Sequence, residues 1–532
     1  MASRPWYSSL EALLPPETPA ALRLILAGFS GAILSLSFRD ADTSLYSWFC
    51  LALLFFSLLQ ARALVAFLCG FLHGLIFVVT CVPWIAEVLA VHGGMSVAAG
   101  WGVLLLIATV WGCSIGLFAW MVQRLSLQGM DWALAGAPFL WISTEVLRAY
   151  LPEISFPWGL LGYPAAGNPA LVQLTPITGI YGVSFLVAVF NSLLIWILTA
   201  RAKEKKKRVA IVTGVLIVLL AVQYFGPGFA PHAESHHVAR VVQPNFPETE
   251  GYSADWYMDH KADLAELEQL SLRALPDAKK PDLLIWPEAP APFSFQEPRF
   301  VTYISRLAME FQNPAVVGVI DWKSILESGG RVARTGRVPY NSAALLNSAG
   351  QEVFLYDKIH LVPFGEYEPF PLIHQVVNSV SEEVGGFRKG RERSVGRLPN
   401  GNTFSVFICY EAIYAGEIRQ FANNGAQLLI NVSNDGWFGR SEAAEQHIRM
   451  ARVRAVENRR WLLRDTNSGI TAVIDPYGNV QRVMRRDARD SADLPYDFRT
   501  DKTIYTRFGD WFAWMCVAIS AILVLATFRK AN

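Results

Sequence analysis

Apolar residues run almost unbroken through the first 230 positions and then give way to short, alternating stretches. A membrane-crossing helix needs roughly 20 predominantly apolar residues. Seven stretches meet or approach that length, at about 21–38, 43–60, 63–86, 95–122, 132–150, 172–200 and 209–227, and an eighth lies at about 509–528. The stretch at 132–150 carries Glu145 and Arg148, three residues apart and so able to pair on one helical face. No cleavable leader is expected, because the N-terminus has no short basic region and the first span no small-residue cleavage site.

Between the seventh and eighth stretches the pattern is that of an α/β domain. Strands are expected at Ala239–Gln243, Asp282–Trp286, Ala315–Asp321, Phe404–Ile408 and Gln427–Val432. Helices are expected at Ser253–Leu275, Glu297–Phe311, Glu411–Asn424 and 442–460. Hairpins are expected across Asn341–Asp357, turning at Asn347–Gly350, and across 470–484, turning at Asp475–Gly478. The expected organisation is a membrane domain over 1–232, a catalytic domain over 233–505 and a closing membrane helix over 506–532.

Charge sharpens this division. Residues 1–200 hold six Arg, three Asp, five Glu and no Lys. Basic residues collect on the cytoplasmic side of membrane proteins. A cytoplasmic N-terminus puts Arg62, Arg124, the cluster Arg201–Arg208 (RAKEKKKR), Arg529 and Lys530 all inside. The region 228–508 then faces out of the cytoplasm. A net charge of +1 leaves no electrostatic footprint for nucleic acid.

Five of the six cysteines (Cys50, Cys69, Cys81, Cys113 and Cys516) lie in or at the ends of apolar stretches. Cys409 alone lies in the α/β region, in FSVFICYE, where no second cysteine exists to form a disulfide. Upstream are Glu288, closing DLLIWPE, and Lys358, in YDKIHLVPFGE. In open α/β sheets chemistry gathers beyond the carboxyl ends of the strands, so Glu288 and Cys409 are expected on one edge. A thiol attacks only as thiolate. Glu288 can take its proton, and Lys358 and the Tyr410 backbone N–H can stabilise an oxyanion. His360, two residues from Lys358, is read as a structural loop residue.

Glutamate, lysine and cysteine in these settings resemble the triad of the nitrilase (carbon–nitrogen hydrolase) superfamily, which is built on an αββα sandwich. The spans on either side resemble the apolipoprotein N-acyltransferase family. Further family-like motifs are FPWGLLGY at Phe156–Tyr163, KIHLVPFGE at Lys358–Glu366, NDGWFG at Asn434–Gly439 and TRFGDW at Thr506–Trp511. The resemblance implies acyl transfer from a membrane phospholipid, typically phosphatidylethanolamine, through a Cys409 thioester to the amine of a diacylglyceryl-cysteine apolipoprotein. It implies no metal or diffusible cofactor, and it implies a multi-pass protein of the inner membrane with its catalytic domain in the periplasm.

The same resemblance adds Glu366, Tyr410, Glu411, Trp437, Asn341 and Arg460 as residues of the substrate site. Loop stabilisation is the alternative for Glu366 and Glu411, core packing for Tyr410 and Trp437, and service to backbone groups for Asn341 and Arg460. Either Tyr252 or Trp256 fills an aromatic position after the first strand. The apolar stretch Phe370–Val377 is a candidate lid. Two other functions stay open at this point: a membrane-tethered amidase or hydrolase using the same triad, and a transporter or receptor with an exported binding domain.

Overall fold

The computed structural model describes residues 14–15, 17–39, 42–151, 155–229, 231–247, 255–274, 279–327, 334–367, 386–482 and 484–529. Two units result. The first holds Met1–Ala86, Trp101–Pro231 and Phe508–Asn532, and the second Glu87–Gly100 and His232–Arg507. The hydropathy pattern places Glu87–Gly100 inside the membrane domain, but it groups with the second unit. Pro83 ends the helix Ala63–Cys81, and a short helix, Trp84–Val91, leads the chain out.

The first unit is helical. Among the described residues five helices are long and apolar enough to cross a membrane: Ala63–Cys81, Val97–Ser126, Ile180–Leu198, Ala202–Phe229 and Trp511–Phe528. Ala20–Leu36 and Thr43–Leu58 are apolar but shorter. The expected span at 172–200 starts late, because Pro176 and Gly179 confine its first residues to short turns before Ile180–Leu198 begins. The helix Met130–Tyr150 includes Pro138 and the expected pair, with Arg148 and Glu145 4.0 Å apart and both buried. Glu145 also accepts the Trp141 indole N–H at 3.0 Å and the Leu161 N–H at 2.7 Å. Both bonds fall on Oε1, so they meet only part of the need of a carboxylate removed from water; Oε2 has no hydrogen-bond partner among the described residues.

The second unit is built on two six-stranded sheets. One contains β1 (His237–Gln243), β2 (Leu283–Ile285), β3 (Ala315–Glu327), β4 (Arg334–Leu346) and β5 (Glu352–Asp357) in that spatial order. The other contains β6 (Gly396–Arg397), β7 (Thr403–Ile408), β8 (Leu428–Ser433), β9 (Trp461–Thr466), β10 (Ala472–Ile474) and β11 (Val480–Arg482). The last strand, β12 (Asp490–Tyr496), returns to pair antiparallel with β1. Helices Lys261–Leu272 and Pro298–Phe311 cover the first sheet through Leu264, Leu267, Phe300, Ile304 and Leu307. Ala415–Asn423 and Ala443–Asn458 pack on the second. This is the expected αββα sandwich.

Direction of the strands decides where the chemistry falls. β1, β2 and β3 are parallel, as are β7, β8 and β9. β4 runs against β3 and β5 against β4, so β5 again points the way β2 does. The residues following β2 and β5 therefore emerge at one edge of the first sheet. Those following β7 and β8 emerge together at one edge of the second.

Gly318 in β3 shows how closely the chain approaches itself there. A methyl group at this position would overlap the Pro287 carbonyl and crowd the Glu288 backbone. Gly318→Ala should therefore destabilise the protein by about 1–3 kcal/mol through overpacking. In detergent this would be read as a lower melting temperature together with reduced activity; an unchanged protein would refute the close approach.

Candidate active site

Glu288 follows β2 across Trp286 and Pro287. The Trp286 ring is fully buried and donates its N–H to Ser271 at 3.0 Å, anchoring the strand end. Both Glu288 oxygens are engaged. Oε1 accepts Lys358 Nζ at 3.1 Å and Asn341 Nδ2 at 2.7 Å, and Oε2 accepts the Asn434 N–H at 2.9 Å. Lys358 follows β5 and is buried, and its own N–H bonds the Asn341 carbonyl at 2.8 Å. Its ammonium also donates to Glu366 Oε1 at 3.0 Å. Asn341 Nδ2 spans the same two carboxylates, reaching Glu366 Oε1 at 2.6 Å, and Glu366 Oε2 takes the Val362 N–H at 2.8 Å. One ammonium and one amide thus hold two carboxylates in place.

Cys409 follows β7 and opens the turn Cys409–Ile413 with its backbone in the left-handed region, at φ 48°. That conformation costs a non-glycine residue about 1–3 kcal/mol and persists only where surrounding contacts hold it. The side chain is 5% exposed. Burial, and next the negative charge of Glu288, push the thiol up to about 12, against the pull of the Lys358 ammonium and the Ser433 hydroxyl. For Lys358, burial opposes the charge, but the carboxylates of Glu288 and Glu366, and then Cys409, outweigh it and raise its pKa. The resting site is therefore thiol, carboxylate and ammonium. No thiolate waits in it.

Glu411 turns out to be an anchor. Its fully buried carboxylate accepts N–H bonds from Ile408 (2.7 Å), Ile359 (2.7 Å) and His360 (3.1 Å), and the Tyr356 hydroxyl at 2.8 and 2.9 Å to its two oxygens. Burial raises its pKa, while the N–H bonds from Ile408 and His360 pull the other way. Of the two roles expected for it, stabilisation of the loops is the one these contacts describe. Asn341 and Glu366, expected at the substrate, face the triad itself.

The remaining expected residues separate. Tyr410 is buried edge-to-face on Tyr414 with ring centroids 5.5 Å apart. Trp437 is 38% exposed, edge-on to His92 of the Glu87–Gly100 segment at 4.8 Å. Arg460 does not join the site. Its guanidinium donates to the carbonyls of Ala426 (2.7 Å), Asn458 (3.1 Å), Arg459 (3.2 Å) and Asp501 (2.6 Å). Ala426 precedes β8, so Arg460 lies at the end of that parallel sheet opposite Cys409, tying up orphan carbonyls past a helix end. His360 stacks on Tyr414 at 4.1 Å and bonds Glu417 at 3.2 Å, in keeping with a structural role. Trp256 is buried among Phe246, Tyr257, His260 and Phe293. Tyr252 and Phe370–Val377 lie outside the described residues.

Three buried residues near Cys409 went unread as participants: Asp435, His447 and Arg464. NDGWFG drew notice as a motif, but nothing in it pointed to Arg464, which sits on β9, a strand the pattern did not reveal. A single histidine within the helix Ala443–Asn458 carries no periodic signal either. Among the described residues no group of three His, Cys, Asp or Glu side chains is arranged to hold a metal ion.

A thiol of this kind makes a prediction for alkylation. Iodoacetamide reacts with the thiolate, so labelling of Cys409 should climb with pH and show no plateau below about pH 10. A rate already level at neutral pH would reveal a resting thiolate and refute a protonated Cys409.

Comparison with known proteins follows the same division of the chain. Residues 30–193 match the family described as the apolipoprotein N-acyltransferase N-terminal domain, and residues 238–490 match the carbon–nitrogen hydrolase family. The apolipoprotein N-acyltransferase of Geobacter metallireducens is 33% identical over 515 residues, covering 96% of both chains. That of Methylococcus capsulatus is 29% identical over 516 residues, 96% of this chain and 97% of the relative. That of Chlorobaculum tepidum is 31% identical over 427 residues, 76% and 78% of the two. Similar along nearly its whole length to the first of these, and matching the two families one after the other, this chain belongs to the apolipoprotein N-acyltransferase family.

Proposed function

We propose that Glu288, Lys358 and Cys409 carry out a two-step acyl transfer from a membrane phospholipid to the N-terminal amine of a diacylglyceryl-cysteine apolipoprotein. The observation that carries this reading is the Glu288 carboxylate bonded to Lys358 at 3.1 Å, with Cys409 just past the end of β7 and within electrostatic reach of both. In the first step Sγ attacks the ester carbonyl carbon while Glu288 takes the thiol proton. The C–O bond breaks, and that proton passes to the alkoxide of the departing lysophospholipid. In the second step the neutral amine attacks the thioester carbonyl and Glu288 takes its proton. The C–S bond breaks, and the thiol regains the proton.

Lys358 has three N–H bonds, and among the described residues two go to Glu288 and Glu366. The third can face the oxyanion of each tetrahedral intermediate. Glu366 and Asn341 keep that ammonium and the base in register. Phosphatidylethanolamine is the proposed donor. The proposed setting is the inner membrane, with the catalytic unit in the periplasm and both termini in the cytoplasm. The basic residues Arg62, Arg124 and Arg201–Arg208 support this orientation.

Intact-protein mass spectrometry tests the chemistry. Incubation with phosphatidylethanolamine should add a hydroxylamine-labile acyl mass to the wild type and none to Cys409→Ser, and a diacylglyceryl-cysteine peptide should discharge it to the peptide amine. Lys358→Met should slow acylation by about 100-fold or more, the effect of losing one oxyanion donor. Discharge to water before peptide is added would instead establish the hydrolase. For orientation, a cysteine placed at Lys206 should resist a membrane-impermeant maleimide in intact spheroplasts and react after lysis; labelling before lysis would reverse the topology.

A further inference from the structure

Behind the nucleophile lies a set of side chains to which the two-step scheme gives no task. His447, Asp435 and Arg464 are all fully buried. His447 Nε2 is 2.9 Å from the Cys409 carbonyl oxygen. Arg464 Nη2 lies 2.7 and 2.8 Å from the two Asp435 oxygens and 3.2 Å from His447 Nδ1, and its Nη1 donates to Asn431. Asp435 Oδ1 also accepts the Ser433 hydroxyl at 3.1 Å. Gly469 closes the far side, where a methyl group would overlap the Asp435 carboxylate.

These contacts dictate where the ring proton sits. A carbonyl oxygen only accepts, so Nε2 must carry hydrogen; a guanidinium only donates, so Nδ1 facing Arg464 must accept. Asp435 Oδ1 is also 3.2 Å from Nδ1, which would suit a doubly protonated ring. Burial, and then the Arg464 charge, disfavour that cation and lower the His447 pKa. The neutral ring with hydrogen on Nε2 fits both constraints.

We propose that His447 is a positioning residue for acyl transfer: by donating Nε2–H to the Cys409 carbonyl it fixes the Cys409–Tyr410 peptide plane and so aims the Tyr410 N–H at the oxyanion. The peptide unit is planar and trans, so its C=O and N–H point in opposite directions. Holding one aims the other. The bond also restrains the left-handed backbone of Cys409, which its own torsional preference would relax. Arg464 sets the ring's orientation and tautomer by facing Nδ1 as a donor, and Asp435 holds that guanidinium in place. This role rests on the acyl-transfer reading above.

Two substitutions separate positioning from packing. His447→Gln places an amide N–H near the position of Nε2 and can still reach the Cys409 carbonyl. His447→Asn places its amide near Nδ1 and keeps only the contacts to Asp435 and Arg464. In single-turnover acylation with phosphatidylethanolamine vesicles, followed by intact mass, H447Q should lose no more than about tenfold and H447N about 100-fold or more, the loss of an aligned oxyanion donor. Equal rates for the two variants would overturn the role. In parallel, the 15N-histidine spectrum of the wild type, assigned by the resonance missing in H447Q, should show hydrogen on Nε2 of His447. A ring with hydrogen on Nδ1 alone cannot bond the carbonyl and would overturn the proposal whatever the rates of the two variants. Absence of any acyl mass on the wild type would instead overturn the transferase reading, and with it the oxyanion that Tyr410 is aimed at.

Discussion

The buried carboxylate of Glu411 holds the catalytic unit's two halves of chemistry together. Three backbone N–H groups and one phenol converge on it from β5, from the loop after Lys358 and from the end of β7. The Tyr356 hydroxyl and the Ile408 N–H would otherwise be unsatisfied buried groups, at about 1–3 kcal/mol apiece. Water cannot substitute, because the carboxylate has no exposure. The lysine of one sheet and the cysteine of the other are thereby held in one arrangement, and the geometry around Glu288 follows from it.

Within that frame the charges are arranged to keep Cys409 protonated. Glu288 is aimed by Asn434, Asn341 and Lys358 and cannot swing away, and its charge adds to burial in opposing a thiolate. An imidazolium-paired cysteine works the other way, holding a thiolate ready. On the proposed mechanism proton removal and attack on carbon are joined, so nucleophilicity appears only when an acyl group reaches Sγ. Lys358 then faces growing negative charge with an ammonium that two carboxylates keep protonated. Preorganised charge of this kind needs little rearrangement during the reaction.

The nucleophile's strained backbone is balanced from two sides. Glu411 takes the N–H of Ile408 just before it, and His447 takes the carbonyl of Cys409 itself. Both partners lie in helical segments packed on the second sheet, one in the turn after β7 and the other in Ala443–Asn458. The sheet supplies the edge, and the helical residues supply the angle.

Hydropathy and local motif were enough for the division into apolar helices and an α/β unit, for β1, β2, β5, β7 and β8, and for naming Glu288, Lys358 and Cys409 as candidates. Each of these is a local signal, a run of apolar residues or a strand ending in a short motif. The extension of β3 and β4 into 13-residue partners was hidden, because their outer halves alternate weakly and carry many charges. β9 and β12 were hidden as well. WLLRDT places Arg464 and Asp465 in a strand whose every residue is buried, contrary to what their charge suggests. Arg464 can be buried because Asp435, 29 positions earlier in the turn just past β8, meets it from beside the adjacent strand. Arg460 shows the converse. Four residues away along the chain, it points to carbonyls at the far end of the sheet. Composition and periodicity decide which segments leave water, and in what form. Which buried charge meets which partner depends on strand order and direction, and these arise only when distant segments pair.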